Sequence, residues 1–273
     1  MSDATMVEAS PPPKIGSVQY SDLGAVLKAG WHDFRRAPAF GLFFASFFVI
    51  GGWLIFMQLD IVERSYWIIP TAFGFPLLAP FLAVGLYCVS RRLENDVPLV
   101  WREVIGLVFR EKDRQMPSMA VVIIMIFLFW IFIAHMIFAL FLGFMPMTNI
   151  STEWQTTIFT AEGFQMLGVG SLVGAALGLV LYALTVISLP LLLDREIDFI
   201  TAMITSWQLV TSNPGPMLAW ALIIAVLVVL ALIPGFLGLF VVMPVLGHAS
   251  WHLYRRAISF DDDANRKIRR ENV

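Results

Sequence analysis

Three of the four histidines in this sequence are placed where they could bind a metal or a cofactor. His248 and His252 are four positions apart, so on a helix both imidazoles lie on one face and could ligate a metal. His135 lies deep in a long apolar run, where an ionisable residue is a functional candidate by default. No carboxylate or cysteine lies near them in sequence, so we favour hydrogen bonding within the protein and predict no metal and no cofactor.

The overall composition predicts that these histidines belong to a membrane protein. Hydrophobic residues make up 59% of the 273 residues and charged residues only 14%, against about 25% charged residues in a soluble domain. The net charge of −2 offers no basic surface, so we do not expect nucleic acid as a partner. The single Cys88 cannot form an intramolecular disulfide.

The apolar blocks predict an all-α membrane bundle with six transmembrane helices, since about 20 apolar residues cross the hydrocarbon core. The last block is too long for one span, and Pro234-Gly235 in its middle is a turn signal that predicts a helical hairpin. The predicted spans are residues 40–59, 67–89, 120–144, 167–193, 216–233 and 235–254. These spans contain no Asp, Glu, Lys or Arg, which argues against proton-coupled transport.

The positions of the basic residues predict the orientation of the bundle. Of the 18 lysines and arginines, all but Arg64 fall on one side of a six-span protein, and the positive-inside rule makes that side the cytoplasm. Both termini are therefore predicted to be cytoplasmic. Composition divides the chain into a disordered N-terminal arm (1–17), the membrane domain (18–256) and a charged cytoplasmic tail (257–273).

Three segments that lead into the spans are predicted to be amphipathic helices on the cytoplasmic membrane surface. They cover residues 21–36, 99–110 and 197–211. Each carries a tryptophan that we expect to anchor it at the headgroup level: Trp31, Trp101 and Trp207.

The first and third of these units also match each other. Trp31 precedes Pro38, and Trp207 precedes Pro214, by the same seven positions. Proline also precedes an arginine pair by the same interval near the ends of spans two and six. The matches favour an internal parallel repeat, although membrane segments draw on few residue types and also match by chance.

Glycines in the fourth predicted span indicate close helix packing. Gly170, Gly174 and Gly178 form a doubled GxxxG pattern, which gives one smooth helix face. We favour packing inside this bundle, with a subunit interface as the alternative.

Three segments carry a resemblance to a known family. They are residues 30–34 with Pro38, residues 76–92, and residues 244–255. They resemble a family of uncharacterised bacterial integral membrane proteins (domain of unknown function 2189), over about residues 30–256. The resemblance implies the bacterial inner membrane and no defined activity. Some members are labelled cytochrome c oxidase subunit I, but a haem–copper oxidase needs several imidazoles within its spans, and here only His135 is deep. An accessory relation to a respiratory complex stays open.

The sequence lacks a nucleophile elbow, a phosphate loop, a zinc motif and a flavin fingerprint. We therefore predict a non-catalytic accessory, assembly or scaffolding factor, whose partners are the lipid bilayer and either another membrane protein or further copies of itself. The alternative is passive transport or binding of a small solute or lipid. It is favoured by Pro70, Pro76 and Pro80, which are predicted to kink or break span two.

Overall fold

The computed structural model describes residues 12–60, 68–143 and 159–260, and these residues are predominantly helical. The helices are α1 (Tyr20–Arg36), α2 (Pro38–Asp60), α3 (Ile68–Glu94), α4 (Trp101–Arg110), α5 (Met116–Leu142), α6 (Ala161–Thr185), α7 (Ser188–Asp194), α8 (Phe199–Ser212), α9 (Pro214–Leu232) and α10 (Leu239–Ala257). A 3₁₀ turn, Glu111–Asp113, precedes α5. Two short strands, β1 (Lys14–Ile15) and β2 (Ile258–Ser259), pair antiparallel. The predicted helical class is confirmed.

Four stretches of the described residues are long and apolar enough to cross a membrane. They are Pro38–Met57, Met116–Leu142, Ala161–Asp194 and Pro214–Leu232, which match the first, third, fourth and fifth predicted spans. Helices α3 and α10 occupy the second and sixth predicted spans but are not among these candidates. The count of six spans therefore stays a prediction. The predicted break in span two is wrong for the described helix, because α3 runs continuously from Ile68 to Glu94; the alternative, a kink, stays a prediction.

The predicted turn at Pro234-Gly235 separates α9 from α10. Gly235 has φ +62°, a left-handed conformation that glycine adopts at little cost, and its carbonyl accepts a hydrogen bond from Nε1 of Trp53 at 2.8 Å. The apolar stretch Ala161–Asp194 is also interrupted, between α6 and α7. Pro190 lacks the N–H that would bond the carbonyl of Val186, so the helix breaks near that residue.

Helix α1 packs against α10. Its apolar face, which includes Leu23, Val26 and Phe34, is buried. A Cβ atom on Gly30 would lie 2.5 Å from the carbonyl oxygen of Val245, so the two backbones are in direct contact. The prediction that α1 buries this face in the membrane surface is therefore wrong, because α10 covers it.

Helix α8 has the opposite arrangement. Ala202 and Ser206 are buried against the bundle, whereas Ile200, Ile204 and Trp207 are exposed along one outward face. An apolar outward face on a helix that leads directly into a candidate span fits contact with the membrane surface.

The three predicted anchors, Trp31, Trp101 and Trp207, are 45%, 41% and 43% exposed. Trp101 also stacks on Phe40 at 3.9 Å between ring centroids. Their placement at the headgroup level stays a prediction.

The junctions that suggested a repeat have the same local geometry. Ala37, between α1 and α2, has φ −134° and ψ 52°, and Asn213, between α8 and α9, has φ −129° and ψ 53°. Each is followed by a proline that opens the next helix, Pro38 or Pro214, a position where the missing N–H is not needed. The larger repeat stays a prediction.

The segment before α1 is hydrogen-bonded to residues that lie far away in the sequence. In addition to the β1–β2 pair, Gly16 N donates to the Ala257 carbonyl at 2.8 Å. The Asn213 side chain accepts from Val18 N at 2.8 Å and donates to the Gly16 carbonyl at 3.3 Å. The predicted disorder of residues 1–17 thus does not extend to Lys14–Ile15. The rest of the predicted arm up to residue 11, Arg64, and residues 261–273 of the tail lie outside the described residues.

Candidate functional site

Four polar side chains from three helices meet in the interior. Oγ of Ser90, on α3, donates to Oδ2 of Asp33, on α1, at 2.8 Å. The same Oγ lies 2.8 Å from Nδ1 of His248, on α10. Nε2 of His252, also on α10, lies 2.8 Å from the same Asp33 oxygen. Ser90 and His248 have no exposed surface, and Asp33 is 5% exposed. We call these four residues the polar network.

Glycines allow the helices around the polar network to come close together. Besides Gly30 on α1, Gly247 on α10 is such a position, since a Cβ atom there would lie 2.5 Å from Cδ1 of Leu86 on α3. A Cβ on Gly85 of α3 would overlap the ring of Phe44 on α2. Larger side chains at these three positions would separate the helices and pull the network apart.

The hydrogen-bond partners determine where the protons of the network lie. Ser90 has one hydroxyl proton, which it donates to the Asp33 carboxylate. Nδ1 of His248 must then carry the proton that bonds the Ser90 oxygen, which leaves Nε2 of His248 as an acceptor. That Nε2 atom is buried and has no hydrogen-bond partner among the described residues. His252 donates through Nε2 to Asp33.

The surroundings of Asp33 favour its charged form. Burial raises the pKa of the Asp33 carboxyl, but the hydrogen bonds from His252 and Ser90 and further electrostatic attraction lower it more. The pKa of Asp33 therefore lies below its ordinary value. A carboxylate that accepts two hydrogen bonds is stabilised as the anion in this way.

The order of the network is unlike that of a nucleophilic triad. In a triad the histidine lies between the carboxylate and the serine, and its second nitrogen activates the hydroxyl. Here Ser90 lies between Asp33 and His248, and its hydroxyl is fully buried. The arrangement can conduct or store a proton and can hold α1, α3 and α10 together. It has no exposed nucleophile.

His248 and His252, whose spacing could also suit a metal but for which we predicted hydrogen bonding, both lie in this network. Each directs one ring nitrogen to a different partner, His248 to Ser90 and His252 to Asp33. Within the described residues, no group of three His, Cys, Asp or Glu side chains is arranged to hold a metal ion.

A second set of polar contacts lies at the nearby ends of α3, α7 and α10. Oε2 of Glu94 accepts from Nε1 of Trp251 at 3.0 Å, and its Oε1 accepts from Nε of Arg255 at 3.1 Å. The Tyr254 hydroxyl donates to Oδ2 of Asp194 at 2.9 Å. These contacts tie the end of α10 to the ends of α3 and α7, beside the polar network.

The third predicted histidine, His135, is not part of the network. It lies on α5 with its side chain exposed, and Nδ1 is 2.7 Å from the carbonyl oxygen of Ile131.

The glycine pattern of α6 makes one contact within the described residues. A Cβ atom on Gly174 would lie 2.9 Å from Cη2 of Trp130, on α5, whereas Cβ atoms on Gly170 and Gly178 would meet nothing within 4 Å. The interpretation as packing inside the bundle therefore holds only for Gly174.

Comparison with known proteins agrees with the membrane character of this fold. Residues 68–194 match a family described as a predicted integral membrane protein (DUF2189). The predicted family is confirmed over this segment. The DUF2189 match contains Ser90 and the stretch from α4 to α7, while Asp33, His248 and His252 lie outside it. No curated protein and no solved structure matches the chain. The chain is thus a membrane-embedded protein with several apolar helices.

Sequence reasoning identified the two histidines but missed Asp33 and Ser90. Both residues stand in the segments that carried the resemblance, residues 30–34 and 76–92. The available signal was a polar residue one helical turn after a helix-packing glycine, as Asp33 is after Gly30. It could not be distinguished from an ordinary surface position without knowing which face α10 covers.

Proposed function

We propose that this protein is a non-catalytic factor that acts by association with other membrane proteins, as an accessory, assembly or scaffolding component of the bacterial inner membrane. In this proposal the chain crosses the membrane six times, and both termini are cytoplasmic. One observation carries it: Ser90 and His248, the side chains of the network that could serve as nucleophile and base, are fully enclosed and hydrogen-bonded into it.

Enclosure argues against catalysis at this site. A general base or nucleophile must come within hydrogen-bond reach of its substrate, and groups without exposed surface cannot do so. A buried carboxylate with its hydrogen-bond donors instead fixes the relative positions of the elements that carry them. Removing one partner of such a set leaves the other buried and unpaired, which is strongly unfavourable. The network therefore suits a scaffold that must keep α1, α3 and α10 in register.

The candidate spans have broad apolar surfaces that remain available for association. In the most apolar part of α5 only 11% of the residues are buried inside the chain, and in α9 only 17%. Lipid covers such faces in an isolated molecule, and helices of other proteins can replace that lipid in an assembly.

The test is purification from native membranes in a mild detergent, with mass spectrometry of the preparation and an absorption spectrum. We expect a partner in fixed stoichiometry and no cofactor absorption. The matched variants are Gly178→Leu and Gly170→Leu, at positions where an added Cβ atom would meet no described residue within 4 Å. At least one should lose the partner while the melting temperature stays that of the parent.

Two other results would contradict the proposal. A colourless monomer with a lipid or small solute bound in fixed stoichiometry would instead support the alternative, passive binding or transport. A haem absorption band would show that the protein carries a cofactor, with its histidines as the candidate ligands.

A further inference from the structure

His135 is a polar side chain on the outward face of a candidate span. The exposed residues around it on α5 are apolar: Leu128, Phe132, Met136 and Leu140. Its Nδ1 lies 2.7 Å from the carbonyl oxygen of Ile131, which can only accept a hydrogen bond. Nδ1 therefore carries the ring proton, and Nε2 is left as an acceptor. No donor among the described residues reaches Nε2.

The depth of His135 in the membrane makes an unpaired acceptor unfavourable. Helix α5 has 27 residues, so it is about 40 Å long and exceeds the hydrocarbon core of about 30 Å by roughly 5 Å at each end. His135 lies seven residues before Leu142, about 10 Å from the end of the helix. It is therefore inside the hydrocarbon, which offers no donor, and histidines in spans commonly bond to a neighbouring helix.

Ser171, on α6, is an exposed donor at a similar depth. NH2 of Arg114, before α5, is 2.6 Å from Oε1 of Glu196, after α7, so the start of α5 and the end of the α6–α7 stretch lie on the same side of the bundle. The two long helices are thus antiparallel, and Trp130 contacts Gly174 between them.

Counting from that contact places the two polar groups almost level. His135 is five residues beyond Trp130, about 7.5 Å, and Ser171 is three residues before Gly174, about 4.5 Å in the same direction across the membrane. Side chains also lean toward the N-terminus of their own helix. Because the helices are antiparallel, this lean brings the imidazole and the hydroxyl closer in depth.

The two groups also lie on the same side of the α5–α6 pair. Successive residues turn by about 100° around a helix, so His135 is about 140° from Trp130 and Ser171 about 60° from Gly174. The rotations have opposite senses when seen from one end, since the helices are antiparallel, and both lead to the same side. Gly178 also lies on this side of α6 and has open space around it.

From this placement we propose that a second copy of this chain docks against α5 and α6, with Nε2 of His135 accepting a hydrogen bond from Ser171 of the other copy. A two-fold axis along the membrane normal keeps both groups at their depth and places α5 of each copy against α6 of the other, so the bond forms twice. The open face at Gly178 lets the helices approach closely. The inference rests on the proposed function of association and names the partner.

The test measures dimerisation in lipid vesicles over a range of protein-to-lipid ratios, by the photobleaching steps of singly labelled protein. Hydrogen bonds between spans are modest, so loss of the two equivalent bonds should weaken the dimer about tenfold. We expect this weakening for His135→Leu and for Ser171→Ala, and no further weakening when the two are combined. The control Met136→Leu, on the same exposed face, should dimerise like the parent.

Cysteine cross-linking tests the geometry independently of affinity. Protein with His135→Cys is mixed with protein with Ser171→Cys and oxidised; the native Cys88 is 1% exposed and should stay unreactive. We expect a disulfide-linked dimer from this mixture. Val121→Cys mixed with Ser171→Cys should give none, because residue 121 is about 21 Å from residue 135 along α5.

The two proposals can fail separately. If His135→Leu dimerises like the parent, or the control pair cross-links equally well, the His135–Ser171 contact is wrong, while a stable partner of another kind would leave the proposed function standing. If the parent is a monomer at every protein-to-lipid ratio and brings no partner from the membrane, both are wrong.

Discussion

Nε2 of His252 lies 2.8 Å from Oδ2 of Asp33, although the two residues are 219 positions apart in the chain. The same carboxylate oxygen accepts the hydroxyl of Ser90, so one side chain of α1 is bonded to both α3 and α10. The contact joins the first helix of the chain to the last one, and the β1–β2 pair does the same beside it. The described part of the fold is thus closed by contacts between its first and last segments.

Removal of the Asp33 carboxylate should destabilise this closure strongly. Asp33→Ala leaves the His252 nitrogen and the Ser90 hydroxyl without their acceptor. A buried donor that is left without an acceptor typically costs about 1–3 kcal/mol of unfolding free energy, and here two donors lose theirs. We expect a large fall in melting temperature in detergent.

The matched control for Asp33→Ala is Arg256→Gln. The Arg256 guanidinium pairs with Asp22 at 2.9 Å and also links α10 to α1, but its side chain is 51% exposed. An exposed pair contributes roughly 0–1 kcal/mol. Equal effects of the two substitutions would show that the polar network is not what holds α1 in place.

Substitution by alanine at two glycines of α1 should change the stability of the protein in opposite directions. A Cβ on Gly30 would lie 2.5 Å from the Val245 carbonyl oxygen and 2.7 Å from Ala249 N, both backbone atoms that cannot move alone. Gly30→Ala should therefore cost about 1–3 kcal/mol of unfolding free energy through overpacking.

A Cβ on Gly24 meets nothing within 4 Å, so Gly24→Ala should raise stability by about 0.5–1 kcal/mol. Melting curves of the two variants give the comparison. A Gly30→Ala protein as stable as the parent would mean that α1 does not press directly on α10.

The long helices could be predicted from sequence because their apolar stretches are dictated by membrane thickness. The turn at Gly235 could be predicted because proline and glycine restrict the backbone locally. The helices that begin at Pro38 and Pro214 start close to the predicted span starts at residues 40 and 216. The face of α1 was interpreted wrongly, since an amphipathic pattern is the same whether lipid or α10 covers it.

The polar network could be predicted only in part, because its members come from distant segments. The His248 and His252 pair is visible as a spacing of four on one helix. Asp33 and Ser90 become partners only when three helices meet, and a single sequence does not contain that information. The same limit applies to the glycines. The GxxxG pattern of α6 is visible in the sequence, while isolated glycines such as Gly30 and Gly247 make closer contacts than Gly174.

The glycines of α6 should differ in their effect on the stability of the isolated chain. Gly174→Leu places a side chain where a Cβ alone would be 2.9 Å from the Trp130 ring. We expect a loss of about 1–3 kcal/mol, reduced to the extent that the ring can turn aside. Gly178→Leu should leave the melting temperature of the monomer unchanged, because an added Cβ atom there would meet no described residue within 4 Å. The measurement is a melting curve of each variant at a protein-to-detergent ratio that gives monomers. Equal melting temperatures for the two variants would contradict the α5–α6 contact.

The orientation of the chain is open to a direct test. The basic residues that flank the predicted spans predict that both termini lie in the cytoplasm. A reporter that is active only in the cytoplasm should therefore be active when fused after residue 273. Fused within residues 61–67 or 144–158, it should be inactive. Activity of a periplasmic reporter at the C-terminus would refute the six-span topology.

The charge of Asp33 should make the protein sensitive to acid. Burial raises the pKa of this carboxyl, but the hydrogen bonds from His252 and Ser90 lower it more, so the folded pKa is below its ordinary value of 3.8. A group with a depressed folded pKa contributes stability above its unfolded pKa, and this contribution is lost as the pH falls through the folded value. The melting temperature of the parent should therefore drop steeply below about pH 4.

The matched variant for this acid response is Asp33→Asn, which has a similar shape and no titrating proton. It should be less stable than the parent at pH 7, and its melting temperature should fall less between pH 5 and pH 3, so that the two curves converge in acid. His252→Gln, which removes the hydrogen bond that lowers the pKa most, should give an intermediate acid response. Parallel curves for the parent and Asp33→Asn over this range would show that Asp33 carries no charge that stabilises the fold. The polar network would then have to hold its three helices through neutral hydrogen bonds alone.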